Sequence, residues 1–234
     1  MLKNPYKQLN KWVFSLCLLF SLLFIAGCGL VSVFGTPSRD ERSVIAEYDL
    51  AKDYKTLPQQ KILIIVNQSV LLNSKVNLRQ SLTRAISKNL STQLKISETS
   101  LITYDELADL RTKDIDFSSR TPAEIGKKLG ADKVLLVVVN DFEVEVLGET
   151  KFLAGMLVAG AKLYDVSTSK EIWSSNQNGR VLKVGFEIEE RGQDIAVARL
   201  IADIAHCITR YLYDCPKTRF KIADDLSGTA LGQW

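Results

Sequence analysis

Lys133-Val134-Leu135-Leu136-Val137-Val138-Val139 is an unbroken apolar run behind one lysine, and Asp141-Phe142-Glu143-Val144-Glu145-Val146 continues it as a strict alternation of acidic and apolar residues. The first half reads as a strand covered on both faces. In the second half one face has emerged into water, because successive side chains point to opposite sides of a pleated sheet. A chain with such a strand needs a sheet with helices packed on it and a place where that packing stops.

The rest of the chain supplies the parts. Lys61-Ile62-Leu63-Ile64-Ile65-Val66, after Pro58, is a second continuous run and reads as a buried central strand. Leu78, Leu82, Ala85, Ile86, Leu90 and Leu94 recur at helical spacing and predict a helix over 77–94. Thr99 to Thr103 predicts a short strand, and Tyr104 opens a brief helix to Leu110. Thr121-Pro122-Ala123-Glu124 is a helix start: Thr caps, Pro takes the first helical position, and Glu bonds back to the cap. Gly130 ends that helix with a left-handed backbone. After the long run, Gly148-Glu149-Thr150 turns into a second apolar strand, Phe152 to Val166, where Gly155 and Gly160 suit bulges. Ser167 to Lys170 turns again into Glu171-Ile172-Trp173-Ser174, and Asn178-Gly179 is a hairpin dipeptide leading to Val181 through Ile188. Val197, Leu200, Ile201, Ile204, Ile208, Tyr211 and Leu212 mark the longest amphipathic helix, 194–213, which Pro216 stops. Crossover helices join parallel strands, whereas short turns demand antiparallel ones. The expected fold class is α/β: a single mixed β-sheet with two or three helices packed on it, parallel early strands and then an antiparallel meander.

The N-terminus carries a different message. Lys3, Lys7 and Lys11 precede an apolar run from Trp12 that closes at Leu23-Phe24-Ile25-Ala26-Gly27-Cys28. A basic region, an apolar region and small residues before a cut site are the parts of a secretory signal. The segment resembles a bacterial lipobox. That resemblance implies cleavage by signal peptidase II between Gly27 and Cys28, with Cys28 then carrying acyl chains as the only covalent group. The competing reading is a transmembrane anchor, which needs about 20 apolar residues. Gly29, Ser32, Gly35 and Pro37 dilute the run and favour the lipoprotein. Either way the rest of the chain stands outside the cytoplasm. Gly29 is not the aspartate that holds some lipoproteins at the inner membrane, so the expected location is the envelope, facing the periplasm, with the outer membrane favoured.

Charge narrows the partners. The 234 residues include 30 Lys+Arg and 27 Asp+Glu, and the leader holds three lysines and no acid. The processed chain is therefore neutral overall and has no basic field for nucleic acid. Residues 1–27 read as signal peptide, 28–57 as lipidated cysteine and flexible tether, 58–214 as the globular domain and 215–234 as an extended tail. The tether is polar and aperiodic around Thr36 to Ser43, though Tyr48, Leu50 and Tyr54 are candidates to dock on the fold.

Catalytic chemistry finds little purchase. There is one histidine, His206, which falls roughly opposite the buried stripe of the last helix. Cys207 and Cys215 remain after processing, and a chain turning back after the helix could join them as a disulfide; the alternative is two separate buried thiols. No Cys-x-x-Cys, Gly-x-Ser-x-Gly, P-loop or His-Glu-x-x-His pattern occurs. Asp141, Glu143 and Glu145 lie on one strand face about 7 Å apart and read as a solvated row rather than a calcium or acid–base cluster. Asp114 and Asp116 lack the glycine and distal glutamate of a calcium loop. The expectation is a chain that is not an enzyme and has no metal or cofactor. Phe142, Val144, Val146 and the tail near Trp234 are candidates for a docking surface or for packing within the chain.

Gly130-Ala131-Asp132-Lys133-Val134-Leu135, the long strand pair, and Lys162-Leu163-Tyr164-Asp165-Val166-Ser167-Thr168-Ser169-Lys170-Glu171-Ile172-Trp173 before a last helix together resemble a known group. It is the periplasmic core shared by the curli-secretion lipoprotein, the penicillin-binding-protein activator lipoprotein and the N-terminal domain of the Tol-system protein TolB. The resemblance covers residues 58–214 and its motifs are structural. It implies an envelope protein partner in a secretion or envelope-maintenance complex, activation of a cell-wall enzyme, or a place in a curli-type secretion ring. Ser169 stands where the group usually has glycine. Gly148-Glu149-Thr150 leaves no room for the membrane-crossing insertion that builds the curli pore, so channel activity is not implied.

Overall fold

The computed structural model describes residues 42–68, 76–174, 176 and 179–218. The leader with Cys28, the tether up to Glu41 and the tail beyond Thr218 lie outside the described residues. Elements in chain order are β1 (Arg42–Val44), α1 (Leu50–Thr56), β2 (Ile62–Gln68), α2 (Leu78–Leu94), β3 (Leu101–Ile102), α3 (Tyr104–Lys113), α4 (Pro122–Lys128), β4 (Lys133–Val146), β5 (Leu153–Asp165), β6 (Lys170–Trp173), β7 (Arg180–Glu189), α5 (Gln193–Thr209) and β8 (Cys215–Thr218).

The main sheet is mixed, as expected. β2 lies between β3 and β4, parallel to both, and β4 then pairs antiparallel with β5. The two continuous apolar runs are neighbours in this sheet, which is why neither alternates. Ile62, Ile64 and Val66 of β2 join Leu135, Val137 and Val139 of β4 in the main core. α2 and α5 cover that side with Leu82, Ile86, Leu90, Leu200, Ile204 and Ile208, each fully buried. The other side of β2 and early β4 presents Leu63, Ile65 and Val134 to Leu107 of α3 and Ile125 of α4 in a smaller second core.

Helix ends follow the sequence cues. Thr121 and Glu124 form a reciprocal capping box on α4, and Thr103 with Glu106 forms the same device on α3. Gly130 has φ +68°, and Asp132 then accepts a bond from the Lys61 N–H, tying the start of β4 to the start of β2. Gly126 must lack a side chain, since a Cβ there would lie 2.5 Å from Val134 and 2.8 Å from Val166.

Three expectations need correction. The globular body begins at Arg42, not at residue 58. Leu50 and Tyr54 are buried in the main core, the Glu47 and Tyr48 N–H groups donate to Tyr211 O, and β1 pairs with β8. The arm and the start of the expected tail therefore belong to the fold. They are held by backbone hydrogen bonds, by the burial of Leu50 and Tyr54, and by ion pairs to residues far away in the chain, and neither the backbone bonds nor the distant partners can be read from the arm's own side chains. Second, Asn178-Gly179 does not close a hairpin. β6 and β7 both pair antiparallel with β5, so they run in the same direction, end to end along one edge. Third, Cys207 and Cys215 are two buried thiols and not a disulfide. Burial pushes the Cys215 thiol above its ordinary value.

Two outcomes follow from local strain and burial. Ser169 sits in the β5–β6 turn at φ +57°, a backbone that costs a side chain about 1 kcal/mol or more. Ser169→Gly is expected to stabilise the fold by about 1 kcal/mol, read as a rise of about 2–4 °C in Tm; an unchanged or lower Tm would count against the turn geometry. Asp203 of α5 is 5% exposed, and burial raises its carboxyl to about 6 despite Arg199 at 3.9 Å. Such a group keeps its proton in the fold after the unfolded chain has lost it. Its contribution therefore falls as pH rises from about 4 to about 6. Asp203→Asn should be more stable than wild type at pH 7.5, with the gap closing by pH 4 in parallel denaturant titrations.

Candidate docking face

The ladder between β4 and β5 carries one residue too many. Val139 pairs with Ala159 and Asp141 with Val158, so Asn140 is absorbed as a bulge. Before it, odd-numbered residues of β4 face α2 and α5; after it, even-numbered ones do. Phe142 and Val144 consequently pack against the main core, while Val146 is 60% exposed. Without the bulge, the same alternation would drive Asp141, Glu143 and Glu145 into that core, an arrangement water-loving carboxylates resist strongly.

The three carboxylates instead share the opposite face with Ala154, Met156 and Val158 of β5, their direct cross-strand partners. β7 completes this face, with Val181 beside Gly160, Lys183 beside Val158 and Gly185 beside Met156. α3 and α4 stop over Leu63, Ile65 and Val134, and beyond them the face lies open. Val138 is 39% exposed on it. A shallow depression of about 560 Å³ is lined by Leu136, Val138, Asn140, Gly160, Lys162, Tyr164 and Val181. The floor mixes apolar Leu136, Val138 and Val181 with polar Asn140, Lys162 and Tyr164, a row of acids stands on the β4 side, and Lys183 stands on the β7 side. The acids lie beyond the depression, with Glu143 and Glu145 exposed, so they form a ridge and not the wall of a cleft.

Electrostatics on the ridge is set by crowding. A hydrogen bond that the protonated Glu143 carboxyl donates to Glu145, together with the negative charge of Glu145 and smaller effects of burial and Asp141, holds the Glu143 carboxyl above its ordinary value. Among the described residues, no group of three His, Cys, Asp or Glu side chains is placed to hold a metal ion.

The other candidates are accounted for by packing. Asp114 forms ion pairs with Arg120 and Lys128, which hold it well below the usual carboxylate range and tie α3 to α4. Asp116 reaches Arg120 at 3.9 Å. His206 is half-buried, and burial with Arg210 nearby lowers its pKa. Lys133, 6% exposed, lies 3.2 Å from Asp53 and 3.9 Å from Asp165, with its ammonium over the Tyr48 ring. The Tyr48 hydroxyl also donates to Asp53. This cluster clamps α1 and the arm to the β4 and β5 ends. Lys183, Val158 and Val181 were absent from the sequence candidates. Their signal was the even-numbered side of β5 and the odd-numbered side of β7, visible only once the register is known.

No protein-family model and no curated protein matches the chain. Among solved structures, lipoprotein GNA1162 from Neisseria meningitidis is similar at 15% identity and TM-score 0.44, over 64% of this chain and 98% of that one. A dodecameric PelC variant from Paraburkholderia phytofirmans is similar at 10% identity and TM-score 0.43, over 74% and 98%. A minor lipoprotein from Acinetobacter baumannii is similar at 12% identity and TM-score 0.35, over 68% and 98%. The neighbours thus include bacterial lipoproteins, and likeness at this level bears on neither activity nor partner. No helix among the described residues is long and apolar enough to cross a membrane.

Proposed function

We propose that this chain is a lipid-anchored lipoprotein of the bacterial envelope that works by docking, without catalysis of its own. The observation that carries the reading is the open β4–β5–β7 face: a shallow, half-apolar surface with charged flanks and no deep cleft. Such a surface suits contact with another protein, whereas turnover of a small substrate calls for a concave site that excludes water. The lipobox at Ala26-Gly27-Cys28 supports the anchor, and Cys28 would hold the body at the periplasmic side of a membrane, the outer one being favoured. Tethering then serves the docking by raising the effective concentration of the body near a partner in the same envelope. The resemblance to the curli-secretion, wall-enzyme-activator and Tol-system proteins supports a task in secretion or envelope maintenance. The Leu147–Phe152 turn joins β4 directly to β5 and leaves no membrane-crossing insertion there.

Replacing the acylated residue tests the anchor. Cys28→Ala should leave an uncleaved precursor of higher mass on denaturing gels of whole cells. Processing at the wild-type rate would contradict it.

A further inference from the structure

The open face is complementary to itself. Its central row reads Asp141, Val158, Lys183 across β4, β5 and β7: acid, apolar, base. The next row reads Val138, Gly160, Val181, and the row beyond Asp141 reads Glu143, Met156, Gly185. A two-fold axis lying between two such faces and running close to β5 exchanges β4 with β7. It sets Asp141 of one copy over Lys183 of the other, twice, and Val138 over Val181, twice. Val158 and Met156 then meet their own counterparts at the axis, and Gly160 adds no bulk there. Sheets stacked face to face in this aligned way are a standard solution for burying two apolar faces.

We propose that the occupant of this face is a second copy of the same chain. The inference rests on reading the face as a docking surface, and it names the partner. Among the described residues, neither Lys183 nor Asp141, Glu143 or Glu145 has an ion partner within its own chain. Lys162, further along β5, is already paired with Glu171 at 2.8 Å and so adds little repulsion near the axis. A basic partner helix would suit the acids but would meet Lys183 on the opposite flank; a second copy pairs Asp141 with Lys183 twice and sets Glu143 over Gly185, where there is no like charge. Strand spacing and rise give a footprint of about 15 by 30 Å, on the order of 450 Å² per copy. That is below the roughly 800 Å² per partner of a stable interface. The pair is therefore expected to form where both copies are held on one membrane, and the test belongs there.

The test uses the full-length lipoprotein in isolated membranes with Val158→Cys and a short bismaleimide. The expected product has twice the monomer mass. Adding Asp141→Lys, or Lys183→Asp, should lower its yield about tenfold, since each change places like charges at two symmetry-related contacts. The double change Asp141→Lys with Lys183→Asp should restore it, which also shows that the single variants fold. Failure of the single changes to lower the yield, or of the double change to restore it, overturns the proposal. A product with a protein of another mass overturns it too while leaving the docking reading intact. No product of any mass removes both.

Discussion

Between Val139 and Asp141 the β4 ladder holds a residue that β5 does not match, and much of the molecule follows from where that residue goes. A strand has two faces and a period of two, so one extra residue inverts everything after it. Here the inversion lets Leu135, Val137 and Val139 share a side with Phe142 and Val144 while three carboxylates take the other. The penalty for burying those carboxylates fixes the register, and the register in turn aligns β7 so that Lys183 lies across Val158 from Asp141. The composition of the open face is therefore a consequence of the same constraint that keeps the main core dry.

The two ends of the sheet are finished differently. Near the start of β4, Lys133 is surrounded by Asp53, Asp165 and Tyr48, so the N-terminal arm is pinned where β4 begins and β5 ends. Glu47 accepts from Trp173 Nε1 and pairs with Arg180, and Arg180 lies over the Tyr211 ring. These contacts join the arm to β6, β7 and the residues after α5. The far half of β4 has no such cover, and it carries the acidic ridge. The body is thus clamped through its arm at one end of the sheet and open at the other.

Periodicity made the sheet legible. Two unbroken apolar runs and the helical spacing of α2 and α5 were enough for a mixed sheet with helices on it, and Thr121-Pro122 with Gly130 placed α4 closely. The arm was read as tether because Leu50 and Tyr54 offer only one i, i+4 pair, and the rest of its attachment is backbone hydrogen bonds and long-range ion pairs whose partners lie far away in the chain. Asn178-Gly179 misled because that dipeptide reports a local turn and not the direction of the strand that follows; Gly179 does have φ +77°. The acidic row was visible as an alternation, whereas its apolar and basic neighbours come from two other strands and needed the pairing. Nothing in a single sequence states that α3 and α4 end before covering the face.

The most direct measurement is cysteine accessibility on either side of Asn140. In the purified native protein, Val138→Cys and Glu143→Cys should react quickly with a maleimide, while Val139→Cys and Phe142→Cys should be protected. The reactive position then changes from even to odd across the bulge. Reaction at Phe142→Cys with protection at Glu143→Cys would mean that β4 runs through without inversion, and the open face described here would not exist.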